Sequence, residues 1–217
     1  TTLFRSENDQ HLNTLVEIRS LMEHSKRFLS LSGLSGVAAG IFALCGAAAM
    51  YIYLDSGLSL ETPYHLETHL SIPPNWGMSP LTFLLLDASA VLILALSVGF
   101  YFTARKAKRN NQRFWNPASR KLAINLMIPL ITGGFVCLLL LRQGLYWLIA
   151  PGMLIFYGLA LVNGSKFTLE EIRQLGLIEI ILGLIGLYFP GYGLILWAIG
   201  FGIMHIVYGI YMHYRYR

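Results

Sequence analysis

The sequence predicts an all-α, polytopic membrane protein: six transmembrane helices forming three helical hairpins, preceded by an N-terminal amphipathic cytoplasmic helix. Three observations carry that prediction. Of 217 residues, 55% are apolar and only 12% charged, whereas a soluble domain carries about 25% charged residues. Six stretches approach the ~20 apolar residues that a hydrocarbon core of ~30 Å demands of a helix. Finally, fifteen of the sixteen Lys and Arg residues fall in four segments that alternate with nearly uncharged ones.

The chain divides into an arm, residues 1–30, and a membrane domain, residues 31–217. In the arm, Leu12, Leu15, Val16, Ile18 and Met22 recur at helical spacing, with Ser6 as a cap ahead of acidic residues. Glu7, Asp9, Glu17 and Glu23, without a short apolar core or small-residue cleavage pattern, argue against a signal peptide. The spans are expected at 31–54, 81–103, 122–141, 145–163, 172–189 and 194–214. The first carries a small-residue face, Gly36, Ala39, Gly40, Ala43 and Ala47, which lets another helix approach closely. Pro129 and Pro151 fall inside the third and fourth and should kink them. The fifth opens on Thr168 and Glu171, a capping-box spacing. From 180 to 214 there is no Asp, Glu, Lys or Arg, and the turn at Pro190, Gly191, Tyr192 and Gly193 divides that run into two crossings. These spans leave no room for a separate soluble catalytic domain. Cys45 and Cys137 lie within spans and read as small apolar core residues.

Orientation follows from positive charge in the loops. The arm holds Arg5, Arg19, Lys26 and Arg27, and the loop 55–80 holds none. The next loop carries Arg105, Lys106, Lys108, Arg109, Arg113, Arg120 and Lys121. Arg142 stands alone in the third, Lys166 and Arg173 mark the fourth, and Arg215 and Arg217 the tail. Both termini are therefore expected in the cytoplasm. The dense basic loop suits anionic lipid headgroups; no nucleic-acid module surrounds it, so no nucleic-acid partner is expected. The arm, residues 1–28, is a candidate surface for a protein partner, and a homo-oligomer is compatible with the chain.

A repeat runs through the second half. At an offset near fifty residues, Gly133 matches Gly183, Gly144 matches Gly193, Trp147 matches Trp197, and Tyr157-Gly158 matches Tyr208-Gly209. Each unit starts on the cytoplasmic side, so the two hairpins read as parallel repeats. The hairpin Gly183 to Gly209, a glycine-rich helix, a Pro-Gly turn and a second helix with late glycine, resembles the short-repeat membrane proteins of the acid-resistance type. A second resemblance runs nearly end to end. Arg19-Ser20-Leu21-Met22-Glu23, Ser30 to Gly36, Phe156 to Leu161 and Gly200 to Gly209 resemble a family of uncharacterised six-span bacterial membrane proteins. That resemblance implies a bacterial inner-membrane location and carries no activity.

Chemistry in such a chain is sought at ionisable groups inside the membrane, which are costly unless paired or solvated. The chain offers Asp87, Glu179 and His205. Glu179 lies ten residues before the outer end of the fifth span and His205 eleven after the outer start of the sixth. At ~1.5 Å of rise per residue both sit ~15 Å below the outer face, so adjacent antiparallel helices can bring them together. Such a pair can neutralise itself or share and relay a proton. Asp87 sits nearer the outer face, where Arg142 is the expected partner because its long side chain reaches inward. Asn125 and Asn163, near the inner ends of two spans, are expected to cap or to bond between helices.

In the outer loop, His65 and His69 share a helical face at i and i+4, with Glu67 between them, a spacing that can chelate zinc or copper. Two ligands do not close a site, and Glu61, Asp55 or a symmetry mate would have to complete it. No Gly-x-Ser-x-Gly elbow, His-Glu-x-x-His helix or Gly-Lys-Ser/Thr phosphate loop is present, and no cofactor is expected. The leading functional reading is a protein that binds or transports a small solute, ion or lipid through a midplane polar site. The alternatives are a structural, sensory or accessory protein acting through its arm, and an intramembrane enzyme acting on lipids.

Overall fold

The computed structural model describes residues 32–54, 77–109 and 115–216, and among these the chain is helical. Helix α1 runs Gly33–Leu54, α2 Pro80–Arg109 and α3 Pro117–Arg142. A 3-10 turn, Tyr146–Leu148, leads into α4, Ile149–Gly164. Helix α5 spans Glu170–Tyr188. The last helix, α6, Gly193–Arg215, is α-helical at both ends and π-helical over Ala198–Met204. The N-terminal arm and the loop with His65, Glu67 and His69 lie outside the described residues.

Five of these helices, α1, α2, α3, α4 with its flanking 3-10 turns, and α6, are long and apolar enough to cross a membrane. Such a set is what a multi-pass membrane protein requires. Helix α5 is set apart by its charge, Glu170, Glu171, Arg173 and Glu179 in 19 residues. Helices α2 and α3 overrun the expected spans at their basic ends. Helix α2 continues through Arg105 to Arg109, where Lys and Arg are good helix formers and complement the negative end of the helix dipole. Helix α3 starts five residues earlier than expected, at Pro117, because Asn116 caps it reciprocally with Ser119 and proline suits the first turn.

Three local expectations need correction. Pro151 does not kink a helix interior: it sits in the first turn of α4, where its missing N–H would have no intrahelical partner, and it is fully buried. Glu171 does not close a capping box. Leu169 occupies the cap position of α5 without a side-chain cap bond, and Glu171 turns to the end of α6 instead. There it accepts from the Tyr216 hydroxyl at 2.9 and 3.1 Å and lies 3.1 Å from Arg215 Nη1. Burial and the Glu171 carboxylate push the Tyr216 phenol above its ordinary pKa. Cys45 is exposed on α1 rather than buried, and Cys137 is half-buried on α3; both are free thiols.

Helix α4 packs between α3 and α5, while α1 packs between α2 and α6. Two of these contacts are backbone-to-backbone seams built alike. Gly176 and Gly183 of α5, seven residues apart, face Gly158, Ile155 and Pro151 of α4. Gly33 and Gly40 of α1, also seven apart, face Gly209, Ile206 and Gly202 of α6. A β-carbon at Gly158 would stand 2.5 Å from the Gly176 carbonyl oxygen, and one at Gly40 2.6 Å from that of Gly202. Small residues thus set the helix separation, the way helices associate where lipid competes for apolar contact. Gly158→Leu is expected to lower stability in detergent unfolding by about 1–3 kcal/mol through overpacking. Gly134→Leu, at a position with nothing within 4 Å, should leave the midpoint unchanged.

The outward faces of α2 and α3 are apolar: Leu92, Ile93, Leu96 and Phe100 on one, Ile128, Ile131 and Phe135 on the other, are all exposed. Such a surface suits hydrocarbon rather than water. Toward the interior, the fully buried side chains include Leu154, Pro151, Thr168 and one carboxylic acid, Glu179.

Candidate functional site

Glu179 projects from the middle of α5 toward the π-helical stretch of α6, and its side chain is 0% exposed. The approach depends on Gly200, because a β-carbon there would collide with Glu179 Oε2 and stand 2.6 Å from Leu154 Cδ2. Within the same wide turn, the Gly200 carbonyl oxygen lies 2.9 Å from His205 Nδ1. A π-helical insertion displaces carbonyls from the regular ladder, which is why such stretches recur at functional sites.

That contact sets the histidine tautomer. A carbonyl can only accept, so Nδ1 carries the proton, and in the neutral ring Nε2 is left as the acceptor. Tyr157 of α4 occupies that side, with its hydroxyl 2.7 Å from Nε2, and therefore donates to it. Phe201 lies against the imidazole at 5.8 Å between ring centroids and 13° between planes, and Tyr157 and Trp197 flank Phe201 in turn. The ring is thus held at both nitrogens and on one face.

Glu179 is held less completely. His205 Nδ1 is 3.5 Å from Glu179 Oε1, but its hydrogen is directed to Gly200 at the shorter distance. Neither carboxyl oxygen makes a hydrogen bond among the described residues. We treat the 3.5 Å approach as an electrostatic contact, because it lies beyond the ordinary hydrogen-bond range. An ionised carboxylate in that position carries a desolvation cost of several kcal/mol that its neighbours do not repay.

The expected meeting of Glu179 and His205 is therefore present. The expected pairing of Asp87 with Arg142 is not: the Asp87 carboxylate faces α1, within 3.4 Å of where a β-carbon on Gly46 would stand, and no ion pair among the described residues joins it to Arg142. Packing explains the separation, since α2 docks on α1 and α3 docks on α4, and Arg142 is exposed at the end of α3. Asn163 does bond between helices, its Nδ2 donating to the Asn125 backbone oxygen at 3.0 Å and side-chain oxygen at 3.2 Å. Lys166 Nζ reaches Asn163 Oδ1 at 3.3 Å.

Tyr157 and Gly200 are the members the sequence did not single out as site residues. Tyr157 belonged to a repeated Tyr-Gly pair with no role assigned to it, and Gly200 to a glycine-rich motif in which one residue of π-helix is indistinguishable from α-helix. Glu179 and His205 supply two potential metal ligands, and among the described residues no group of three or more His, Cys, Asp or Glu is placed to hold a metal ion. Compared with known proteins, the chain matches no family model, no curated protein and no solved structure.

Proposed function

We propose that this chain is a six-span protein of a bacterial inner membrane, with both termini cytoplasmic, which binds a proton or small cation at Glu179 and His205 and passes it through the bundle. The observation that carries the reading is a fully buried carboxyl group 3.5 Å from a buried imidazole, with neither of its oxygens hydrogen-bonded among the described residues. Intramembrane acids are costly and mark ion pathways and proton relays. An acid kept there for structure alone would be expected to have its oxygens satisfied.

The sixth span is α5. Glu170, Glu171 and Arg173 all lie in its first turn, at an interface, which leaves Glu179 as the one charge in the remaining stretch to Tyr188. The distribution of Lys and Arg supports cytoplasmic termini, and the bacterial location rests on the resemblance of residues 200–209 and the other motifs. The likeness of the two glycine seams supports a repeat of the second-half hairpins, with Gly158 and Gly209 in corresponding places.

Flux in reconstituted vesicles tests the proposal. Under an imposed gradient, wild-type protein should carry protons or an alkali cation, and Glu179→Gln, which keeps the shape and removes the charge, should fall to the level of protein-free vesicles. Undiminished flux in Glu179→Gln, or none in the wild type, rejects it.

A further inference from the structure

We infer that the ligand of this site is the proton itself, and that Tyr157 and His205 relay it to Glu179. The inference rests on the proposed function and narrows it. Three geometric facts carry it. The groups line up across three helices, the Tyr157 hydroxyl bonded to His205 Nε2 at 2.7 Å and His205 Nδ1, whose hydrogen points to the Gly200 carbonyl, 3.5 Å from Glu179 Oε1. Both ends are enclosed, the Tyr157 hydroxyl turned inward onto His205 Nε2 and the Glu179 side chain 0% exposed. Beside the carboxyl lie the Gly200 backbone and a Leu154 methyl group. A calcium-like ion would require about six to eight oxygen ligands, and these neighbours do not offer them. A proton needs one oxygen.

Among the described residues, the titratable groups facing Glu179 are Tyr157 from α4 and His205 from α6, and α1 presents Gly36 to the turn that carries His205. The step conserves atoms and charge. A proton reaching the phenol oxygen binds there while the phenol's own proton passes to Nε2, giving an imidazolium. Nδ1 then turns its proton from the Gly200 carbonyl to Glu179 Oε1, closing the 3.5 Å separation, and releases it there, which turns the carboxylate into an acid. The ring is left neutral with its proton on Nε2, now donated to the Tyr157 oxygen. The reverse sequence restores the Nδ1 proton and its bond to the Gly200 carbonyl, so that carbonyl is the latch that returns the ring to its starting tautomer. Phe201, stacked on the imidazole, keeps the ring plane in line.

Infrared difference spectroscopy on the full chain in lipid bilayers reads the step directly. After a downward pH jump, the wild type should gain a carboxylic C=O band that is lacking in Glu179→Gln. Tyr157→Phe keeps the ring and removes the relaying hydroxyl. There the band should reach the same final extent but rise about 100-fold more slowly, the scale of a positioned proton-transfer group. If Tyr157→Phe does not assemble, His205→Phe, which keeps a ring against Phe201 and has no nitrogen, should show the same slowing. An unchanged rate in the variant, or no Glu179 band in the wild type, overturns the relay. A Glu179 band that alkali cations abolish at constant pH would overturn the proton as ligand while leaving the proposed function standing, since vesicle flux through Glu179 would then be carried by the metal ion.

Discussion

Glu179→Met should produce a bundle that resists unfolding better than the wild type, by about 1–3 kcal/mol, while losing all flux through the site. The gain follows from burial without compensation. Glu179 is 0% exposed and neither of its oxygens makes a hydrogen bond among the described residues, so its polar head is a cost to folding. Methionine has a similar unbranched shape and fills irregular gaps beside residues such as Leu154 without a polar head. A stability gain with a loss of function is the pattern of a site where folding energy has been given up for chemistry. Chemical unfolding in mild detergent, followed by helical circular dichroism, measures the first half, and vesicle flux the second. A clear loss of stability in Glu179→Met would mean that the acid is a structural member of the bundle.

Gly200→Ala is expected to destabilise the protein through the Glu179 site. The added carbon would collide with Glu179 Oε2 and stand 3.1 Å from Glu179 Cδ. Glu179 lies between α5 and the π-helical turn of α6, and interiors packed to crystal-like density have little room to yield. The loss should be about 1–3 kcal/mol, with the His205 bond to the Gly200 carbonyl disturbed as well. The double variant Gly200→Ala with Glu179→Ala isolates the cause. Removing the carboxyl clears the space, so the combined loss should fall short of the sum of the two single losses by about 1 kcal/mol or more. Strict additivity would place the damage in the helix backbone instead of at the carboxyl.

Much of the helical layout was legible beforehand because it depends on local properties of the chain. Apolar runs of membrane length mark α1, α2, α3, α4 and α6, and the glycines and alanines of α1 mark the face that meets another helix. Helix α5 was legible by its pattern, although its charges set it apart from the other five. Helix ends were less so, since Asn116 and Pro117 start α3 outside the apolar run, and the basic residues after Tyr101 continue α2 beyond it. Pro151 read as a kink because its distance from the true start of α4 depends on a 3-10 turn, Tyr146–Leu148, which composition does not reveal.

The site divides along the same line. Depth along a helix is a property of sequence, since rise per residue is constant. The residues alone therefore determined that Glu179 and His205 fall at matching distances along their helices from the turn that joins them. Which helices are neighbours, and which faces they turn to each other, is decided by tertiary packing. Asp87 and Arg142 satisfied the depth argument and still do not meet, because α2 is committed to α1 and α3 to α4. Tyr157 meets His205 because the glycine seam between α4 and α5 sets the place of α4, and because a π-helical turn re-aims the imidazole toward α4 and α5 at once. Contacts of that kind follow from backbone approach and one extra residue in a helical turn, neither of which leaves a periodic trace in the chain.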